Sequence, residues 1–438
     1  MSKVVKFGGS SLASAEQFKK VGNIIRAEAD RKYVVPSAPG KRNSKDTKVT
    51  DMLYGCYALA EAGKNFDKEL AQIKARYDEI IAGLDLKAGL LDKEFETVKA
   101  QFQAKAGKDY AASRGEYLNG IIMAEYLGYQ FLDAAEVIFF DENGEFLADK
   151  TNEVLSARLK NCSHAVLPGF YGSLNGEVHT FSRGGSDVSG AIMARAAGAD
   201  VYENWTDVSG FLMADPRVVP HAKSIQTITY RERRELSYMG ATVLHEDAVF
   251  PVHRACIPTN IRNTNDPRAQ GTIITHENPP EKSPDVITGI AGRVGFSVIS
   301  VEKAMMNSER GFGRRVLQAI EECGLSFEHT PTGIDTMCVV LSTAELEPVK
   351  DQVVKRIMEL TEPDTLTIHD NMGIIATVGR GMVHNPGTAA RLFTALSRAQ
   401  VNVRMIDQGS SELSILVGVD ASDFKAALRA IYFEFVKD

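Results

Sequence analysis

Two stretches of this chain set a cationic side chain beside adjacent glycines where a strand gives way to a helix. Lys6-Phe7-Gly8-Gly9-Ser10-Ser11 follows Val4-Val5 and precedes a helical pattern. Adjacent glycines let backbone N–H groups approach an anion, and a helix N-terminus adds partial positive charge. Lys6 brings a full charge to the same mouth. The lysine precedes the glycines and GxxxxGK[ST] is absent, so this is not a Walker A loop. It reads either as a structural turn or as a phosphate cradle. Phe181-Ser182-Arg183-Gly184-Gly185-Ser186-Asp187 is a second such junction. Its guanidinium suits bidentate carboxylate or phosphate binding, and Asp187 is an acid at a helix start. The alternative is a surface Arg–Asp pair on a glycine turn.

Two further segments carry usable groups. Trp205-Thr206-Asp207-Val208-Ser209-Gly210, with Asp215-Pro216-Arg217 beyond it, offers a hydroxyl, two carboxylates and an arginine. These suit ribose, phosphate and metal-bound water, or else Asx turns at Asp207 and Asp215. Ser113-Arg114-Gly115-Glu116 precedes a helical run. Glu116 there is either a first-turn acid favoured by the dipole or a partner for a substrate ammonium.

The elements that must position these groups alternate short β-branched runs with helical patterns over the first 275 residues, which predicts a mainly parallel sheet between helices. Strands are expected at Val4–Phe7, Tyr33–Ser37, Ala165–Leu167, Asp200–Glu203, Thr259–Arg262 and Thr272–Thr275. The Ala-, Lys-, Glu- and Leu-rich stretch from Thr50 to about Lys108 predicts two or three helices. Ser14-x-x-Gln17 and Thr229-x-x-Glu232 are capping-box starts, and another helix is expected from Asp187. His276–Asp285 (HENPPEKSPD) has prolines, charges and no apolar period, the character of a linker.

Beyond it lies an internal repeat. Arg315–Leu341 superposes without a gap on Arg391–Val417, aligning Arg315 with Arg391, Ala319 with Ala395 and Gly333 with Gly409. Each copy reads strand, helix, strand, glycine turn, strand, helix, a small α+β unit used twice. The expected domains are therefore 1–275, a linker 276–286, and regulatory units 287–370 and 371–438.

Composition bounds the function. A chain of 438 residues exceeds one ordinary core, and a net charge of −7 argues against a nucleic-acid surface. No apolar run reaches membrane-spanning length, and the early strand leaves no room for a signal peptide. Five dispersed cysteines form no CxxC pair, and no HExxH is present. A cytoplasmic enzyme without disulfides or a protein-held metal is expected.

KFGGSS at 6–11, SAPGK with Thr50-Asp51 behind it, SRGE at 113–116, PGFYG at 168–172, SRGGSD at 182–187, WTDVSG at 205–210 and DPR at 215–217 occur in the order seen in aspartate kinases. The tail resembles the paired ACT domains that follow the kinase domain in that family. The resemblance runs end to end and implies the amino acid kinase fold: α/β, a mainly parallel sheet between helices, followed by two α+β ACT-type domains. It implies ATP with Mg²⁺ and L-aspartate as ligands. Lys6 would neutralise the transferring phosphoryl group with Gly8, Gly9 and Ser10, and Asp187 would order the two cradles. Arg183 would hold the aspartate α-carboxylate and Glu116 its ammonium. Thr50, Ser37, Ala38, Ser186 and Phe170 would seat the substrate, and Thr206, Asp207 and Arg217 would contact the nucleotide.

Four departures bear on the nucleotide: Leu212 where a tyrosine is common, Thr242 for a lysine, Glu246 for a proline, and a longer, more basic loop over Lys41–Val49. The tail implies a homodimer or homotetramer through the ACT domains and an amino-acid effector, lysine first and threonine second. Met306, Phe312, Ser326, Glu328 and Thr332 match the effector positions. Phe312 as core and Glu328 as a solvated strand residue is the alternative. Kinases of glutamate, acetylglutamate or nucleotides would share the cradles, but Glu116, Arg183 and the ACT pair favour aspartate. A non-catalytic sensor would have an eroded site, and a bifunctional kinase–dehydrogenase would need a dinucleotide-binding domain beyond Asp438.

Overall fold

The apolar run Val4-Val5 puts β1 (Lys3–Phe7) in the middle of a sheet buried on both faces, as continuous β-branched strands of parallel sheets are. The computed structural model describes residues 1–182, 184–241, 249–276 and 285–436. They form two compact units: Met1–Phe211 with Gln226–Tyr230 and Val243–Pro279, and Leu212–Ile225 with Arg231–Thr242 and Pro280–Asp438.

In the first unit the strands are β1, β2 (Arg31–Pro36), β3 (Gln130–Phe131), β4 (Phe139–Phe140), β5 (Ala165–Val166), β6 (Tyr171–Leu174), β7 (Glu177–Thr180), β8 (Val201–Thr206), β9 (Thr227–Thr229), β10 (Thr259–Asn263) and β11 (Thr272–Thr275). Eight of them make one sheet in the order β3-β5-β2-β1-β8-β10-β11-β9. Every pair is parallel except β10 with β11. β4, β6 and β7 form a small second sheet. In such a sheet, ligands bind beyond the carboxyl ends of the strands, where β1, β2 and β8 release the loops at 8–12, 37–40 and 207–210.

The longer helices are α1 (Ala15–Arg26), α2 (Val49–Glu61), α3 (Asp67–Gly83), α4 (Asp92–Gln103), α5 (Lys108–Leu127), α6 (Ala148–Leu159) and α7 (Gly185–Ala196). Three helices thus fill the Ala/Lys/Glu-rich stretch. Ser14 caps α1 as expected, its Oγ accepting the Gln17 N–H at 3.4 Å. The apolar faces of α1 to α5 close on one side of the sheet around Phe18, Leu53, Tyr77, Phe102 and Ile122. α7 starts two residues before the expected Asp187, because Gly184 takes a left-handed conformation (φ 59°) and its carbonyl receives the N–H groups of Asp187 and Val188.

The second unit is built on one antiparallel sheet, in the order β13 (Thr336–Ser342), β12 (Gly289–Glu302), β14 (Thr365–Val378), β16 (Ser414–Asp420) and β15 (Met405–Asp407). β12 and β14 run antiparallel along almost their whole length, and each carries one repeat outward. The helices Phe312–Glu322, Lys350–Thr361, Thr388–Arg398 and Phe424–Phe435 are in the order the repeat predicts. The copies differ at one strand. β15 pairs with β16, whereas the matching segment of the first copy makes isolated bridges to β13 at His329 and Thr332. Pro331 has no N–H to continue that ladder. The helix starting at Tyr230 follows the expected capping-box position, and the Glu232 carboxylate accepts from Thr288 and Arg380 within this unit.

Candidate active site

Backbone meets backbone at the carboxyl end of β1. The Gly8 N–H donates to the Trp205 carbonyl at 3.1 Å, Ser37 N–H to the Phe7 carbonyl at 3.1 Å, and Gly40 N–H to the Gly9 carbonyl at 2.8 Å. A Cβ on Gly9 would stand 2.8 Å from the Ala38 carbonyl oxygen, so only glycine lets the two loops approach this closely. The third loop joins in the same way. A Cβ on Gly169 would lie 2.7 Å from Ser186, and one on Gly185 would lie 2.5 Å from the Phe170 ring. Phe170 itself holds φ at 81°, and its N–H donates to Ser189 Oγ at 3.0 Å.

The two glycine junctions converge on one ion pair. Lys6 Nζ, on a buried stretch of β1, lies 2.5 Å from Asp187 Oδ1 at the start of α7. Asn204 Nδ2 donates to the same oxygen at 2.8 Å, and the Tyr202 hydroxyl donates to the Asp187 carbonyl at 3.1 Å. Lys6, Gly8, Gly9, Asp187 and Ser186 are therefore one neighbourhood. Ser10 is exposed at its rim. Arg183 lies outside the described residues.

Glu116 closes the neighbourhood from α5. Its side chain is buried, with 6% exposure. Burial pushes its carboxyl up to about 7, against the opposing pull of the Ala38 N–H, its own N–H, the Ser186 hydroxyl and Lys6. One oxygen, Oε2, has no partner among the described residues. A buried acceptor left open beside a cationic pocket fits an incoming donor such as an ammonium. Thr50 lies near: its Oγ1 is 3.7 Å from where a Gly115 Cβ would stand. Asn119, one turn after Glu116, donates from Nδ2 to the Ser37 carbonyl at 2.6 Å.

Sequence reasoning missed the support beneath this pocket. Glu203, 1% exposed on β8, takes Arg31 Nε at 2.8 Å, Trp205 Nε1 at 2.9 Å and Lys3 at 3.4 Å. The Arg31 and Arg262 guanidiniums lie 5.2 and 4.6 Å from the Trp205 ring centre, and that ring stacks on Phe7. The available signal was Glu203-Asn204 inside an otherwise apolar central strand, because buried charge demands partners. Arg114 was passed over too; it is buried against the rings of Tyr110, Tyr117 and Tyr171.

The nucleotide candidates divide between the units. Thr206 ends β8 in the first and Asp207 follows it, the Thr206 hydroxyl donating to Asp207 Oδ1 at 3.2 Å. Arg217 belongs to the second, where its N–H and Nε bond Asp215 as an Asx turn and an ion pair on the surface. Leu212 is half-buried there, bridged to Ser224; Thr242 and Glu246 lie outside the described residues. Of the effector candidates, Met306 and Phe312 are in the core with Val316 and Met337, while Ser326 and Thr332 are exposed. Glu328 pairs with Arg293 at 2.7 Å.

Among the described residues no three His, Cys, Asp or Glu side chains gather as metal ligands. No helix among them is long and apolar enough to cross a membrane.

Residues 1–263 match the sequence model of the amino acid kinase family, and residues 375–435 match that of the ACT domain. Aspartokinase 3 of Bacillus subtilis (strain 168) is 39% identical, over 99% of this chain and 98% of its own. The crystal structure of Clostridium acetobutylicum aspartate kinase is 51% identical, with a TM-score of 0.92 over 99% of both chains. E. coli aspartokinase III, solved in complex with aspartate and ADP, is 25% identical with a TM-score of 0.73 over the whole of both chains. The convergence of both glycine junctions on Lys6 and Asp187 thus sits in a chain that belongs to the amino acid kinase family and, within it, to the aspartokinases.

Proposed function

We propose that the chain transfers the γ-phosphoryl group of ATP to the β-carboxylate of L-aspartate, giving 4-phospho-L-aspartate and ADP. The observation that carries this reading is the Lys6–Asp187 pair at 2.5 Å beside the open Glu116 carboxylate oxygen. The E. coli relative's complex with aspartate and ADP supports the ligand pair. A carboxylate oxygen is already nucleophilic, so no Ser–His pair or strong base is required. It attacks the γ-phosphorus as the bond to the ADP oxygen breaks, and catalysis is positioning plus neutralisation of charge on the phosphoryl oxygens.

Lys6 meets those oxygens, with Asp187, itself held by Asn204, keeping its ammonium in place. The N–H groups around Gly8, Gly9 and Ser10 line the phosphate side. Glu116 takes the aspartate ammonium and Arg183 its α-carboxylate. Thr50, Ser37, Ala38, Ser186 and Phe170 shape the seat between them, and Thr206 and Asp207 serve the nucleotide. Mg²⁺, when bound, shields the phosphate charge.

The layout 1–275, 276–286, 287–370 and 371–438 assigns catalysis to the first part and sensing to the last two. In this reading the enzyme works in the cytoplasm as a homodimer or homotetramer. It begins the route to lysine, threonine and methionine and is inhibited by lysine, with threonine second, at Met306, Phe312, Ser326, Glu328 and Thr332. A coupled ADP-release assay with aspartate, glutamate and acetylglutamate, with and without each end product, tests the proposal. ADP release that does not depend on aspartate would sink it, and inhibition by neither amino acid would remove the effector assignment.

A further inference from the structure

Arg76 is 5% exposed on α3, and no step of the phosphoryl transfer uses it. Its guanidinium reaches three acceptors, all in the segment 40–47: the Gly40 carbonyl, the Thr47 carbonyl at 3.0 Å and the Asp46 carboxylate at 2.9 Å. They stand at the two ends of the basic loop that departs from the family pattern. The near end is the Gly40 whose N–H holds the Gly9 carbonyl at 2.8 Å. At the far end, Val49 N–H donates to the Pro39 carbonyl at 3.2 Å, and Thr50 follows in the first turn of α2. The loop therefore leaves the glycine cradle and returns to it across one buried side chain.

This tie has little slack. A Cβ on Gly40 would lie 2.6 Å from the Gly9 carbonyl carbon, so a shift of Gly40 is passed directly to the cradle. The pair at its centre stays charged at working pH. The Arg42 guanidinium first, with Arg76 adding to it, holds the Asp46 carboxyl well below the usual carboxylate range. Arg42 also reaches Asp46 and Glu79, but it is an exposed, outer tie that bonds neither the Gly40 nor the Thr47 carbonyl.

We infer that Arg76 is a positioning residue for phosphoryl transfer: by gripping the carbonyls of Gly40 and Thr47 from beneath, it fixes the glycine cradle and the helix turn that carries Thr50. This rests on the reading of the site given under Proposed function. Displacing a reacting group by about 1 Å can cost on the order of 10²-fold in rate. A lysine there keeps the charge opposite Asp46 but lacks the planar fork that serves two carbonyls at once.

The test compares the full chain with Arg76→Lys, Arg76→Met and, as a control, Arg42→Gln. Arg76→Met should lower kcat roughly 10- to 100-fold. Arg76→Lys should fall between it and wild type, and added guanidinium ion should restore part of the Arg76→Met rate. Arg42→Gln should stay within about 2-fold, as exposed pairs contribute little. Amide hydrogen exchange over 40–49 should quicken in both Arg76 variants. A kcat within about 3-fold of wild type in folded Arg76→Met overturns the inference, whatever its Tm. If that variant does not fold, Arg76→Lys with wild-type kcat does the same. A wild-type enzyme that releases no ADP with aspartate defeats the reading of the site instead; exchange over 40–49 unchanged in Arg76→Lys then overturns the clamp on its own.

Discussion

Replacing Glu116 by Gln should separate the pH dependence of stability from that of activity. Burial lifts this carboxyl from an ordinary 4.5 to about 7 in the folded chain. The unfolded chain releases the proton near the ordinary value, so between about pH 4.5 and 7 it has lost a proton that the folded chain keeps. The stability that the protonated group supports is complete below about pH 4.5 and is lost as pH rises to 7. At ~1.36 kcal/mol per pH unit, an interval of about 2.5 units amounts to roughly 3 kcal/mol. From pH 5 to pH 8, wild type should therefore lose roughly 2–3 kcal/mol relative to Glu116→Gln, which has no proton to release there. Trp205 is the chain's one tryptophan and lies buried in the first unit, so its fluorescence follows unfolding of the unit that holds the site. Urea titrations of both proteins at several pH values give the quantity as a difference of differences, in which any constant effect of the substitution cancels.

The same proton governs substrate. A substrate ammonium pairs with the ionised carboxylate, which about a tenth of molecules carry one pH unit below 7. The kcat/KM for aspartate should fall on an acid limb centred near pH 7 at about tenfold per unit, and binding should release a proton. Glu116→Gln should lose that limb along with roughly 10²-fold in kcat/KM. Parallel stability profiles for the two proteins, or an acid limb near 4.5, would refute the reasoning.

Lys6→Met should lower kcat by about 10²–10³-fold while moving the KM for aspartate only a few-fold, because the ammonium meets charge that builds on the phosphoryl oxygens; steady-state kinetics read the split. Gly9→Ala puts a Cβ 2.8 Å from the Ala38 carbonyl and 3.2 Å from Gly40. Neither neighbour is a flexible side chain, so the variant should lose about 1–3 kcal/mol in urea titration and at least about tenfold in kcat. Glu203→Gln leaves Arg31 and Lys3 facing a neutral amide in a buried place. It should cost roughly 3–5 kcal/mol by Trp205 fluorescence, and the wild-type Tm would contradict the network described above.

The repeat in the tail was legible because it is a pattern of apolar periods, and helices and strands answer to periods. One difference between its copies was legible in principle too. Pro331 sits in the first copy where Asp407 sits in the second, and a residue without an N–H cannot extend a ladder. The catalytic half shows a different limit. A run of strands and helices says that a parallel sheet forms, but the order β3-β5-β2-β1-β8-β10-β11-β9 depends on contacts between distant segments. Asn204 lies one strand over from Lys6 and 198 positions away in the chain, so nothing local announces their pairing.

The same division runs through the site. Gly8, Gly9, Gly184 and Gly185 were visible as glycines, yet a glycine records only that something comes close, not what. Ala38 and Gly40 press on Gly9, Phe170 on Gly185 and Ser186 on Gly169, and of these partners Gly40 was not among the expected site residues. Charge behaves oppositely. Lys6 and Asp187 could be picked out as functional from their setting, and Glu203 from the apolar strand around it, while Arg31 and Arg76 could not, because a buried ion at the edge of a polar stretch looks in sequence like any surface one. Their burial is a debt of several kcal/mol per ion unless partners are arranged around them. Here the partners of the arginines are the Ile24 and Thr47 carbonyls and the Glu203 and Asp46 carboxylates, and Glu203 also takes the Trp205 indole N–H. A mutational scan of this chain should therefore find two classes of sensitive position: glycines where added bulk is refused, and buried arginines and acids where lost charge loosens the frame. Exposed lysines of the 41–48 loop belong to neither class, and their replacement by alanine should leave kcat within about 3-fold and unfolding free energy within about 0.5 kcal/mol.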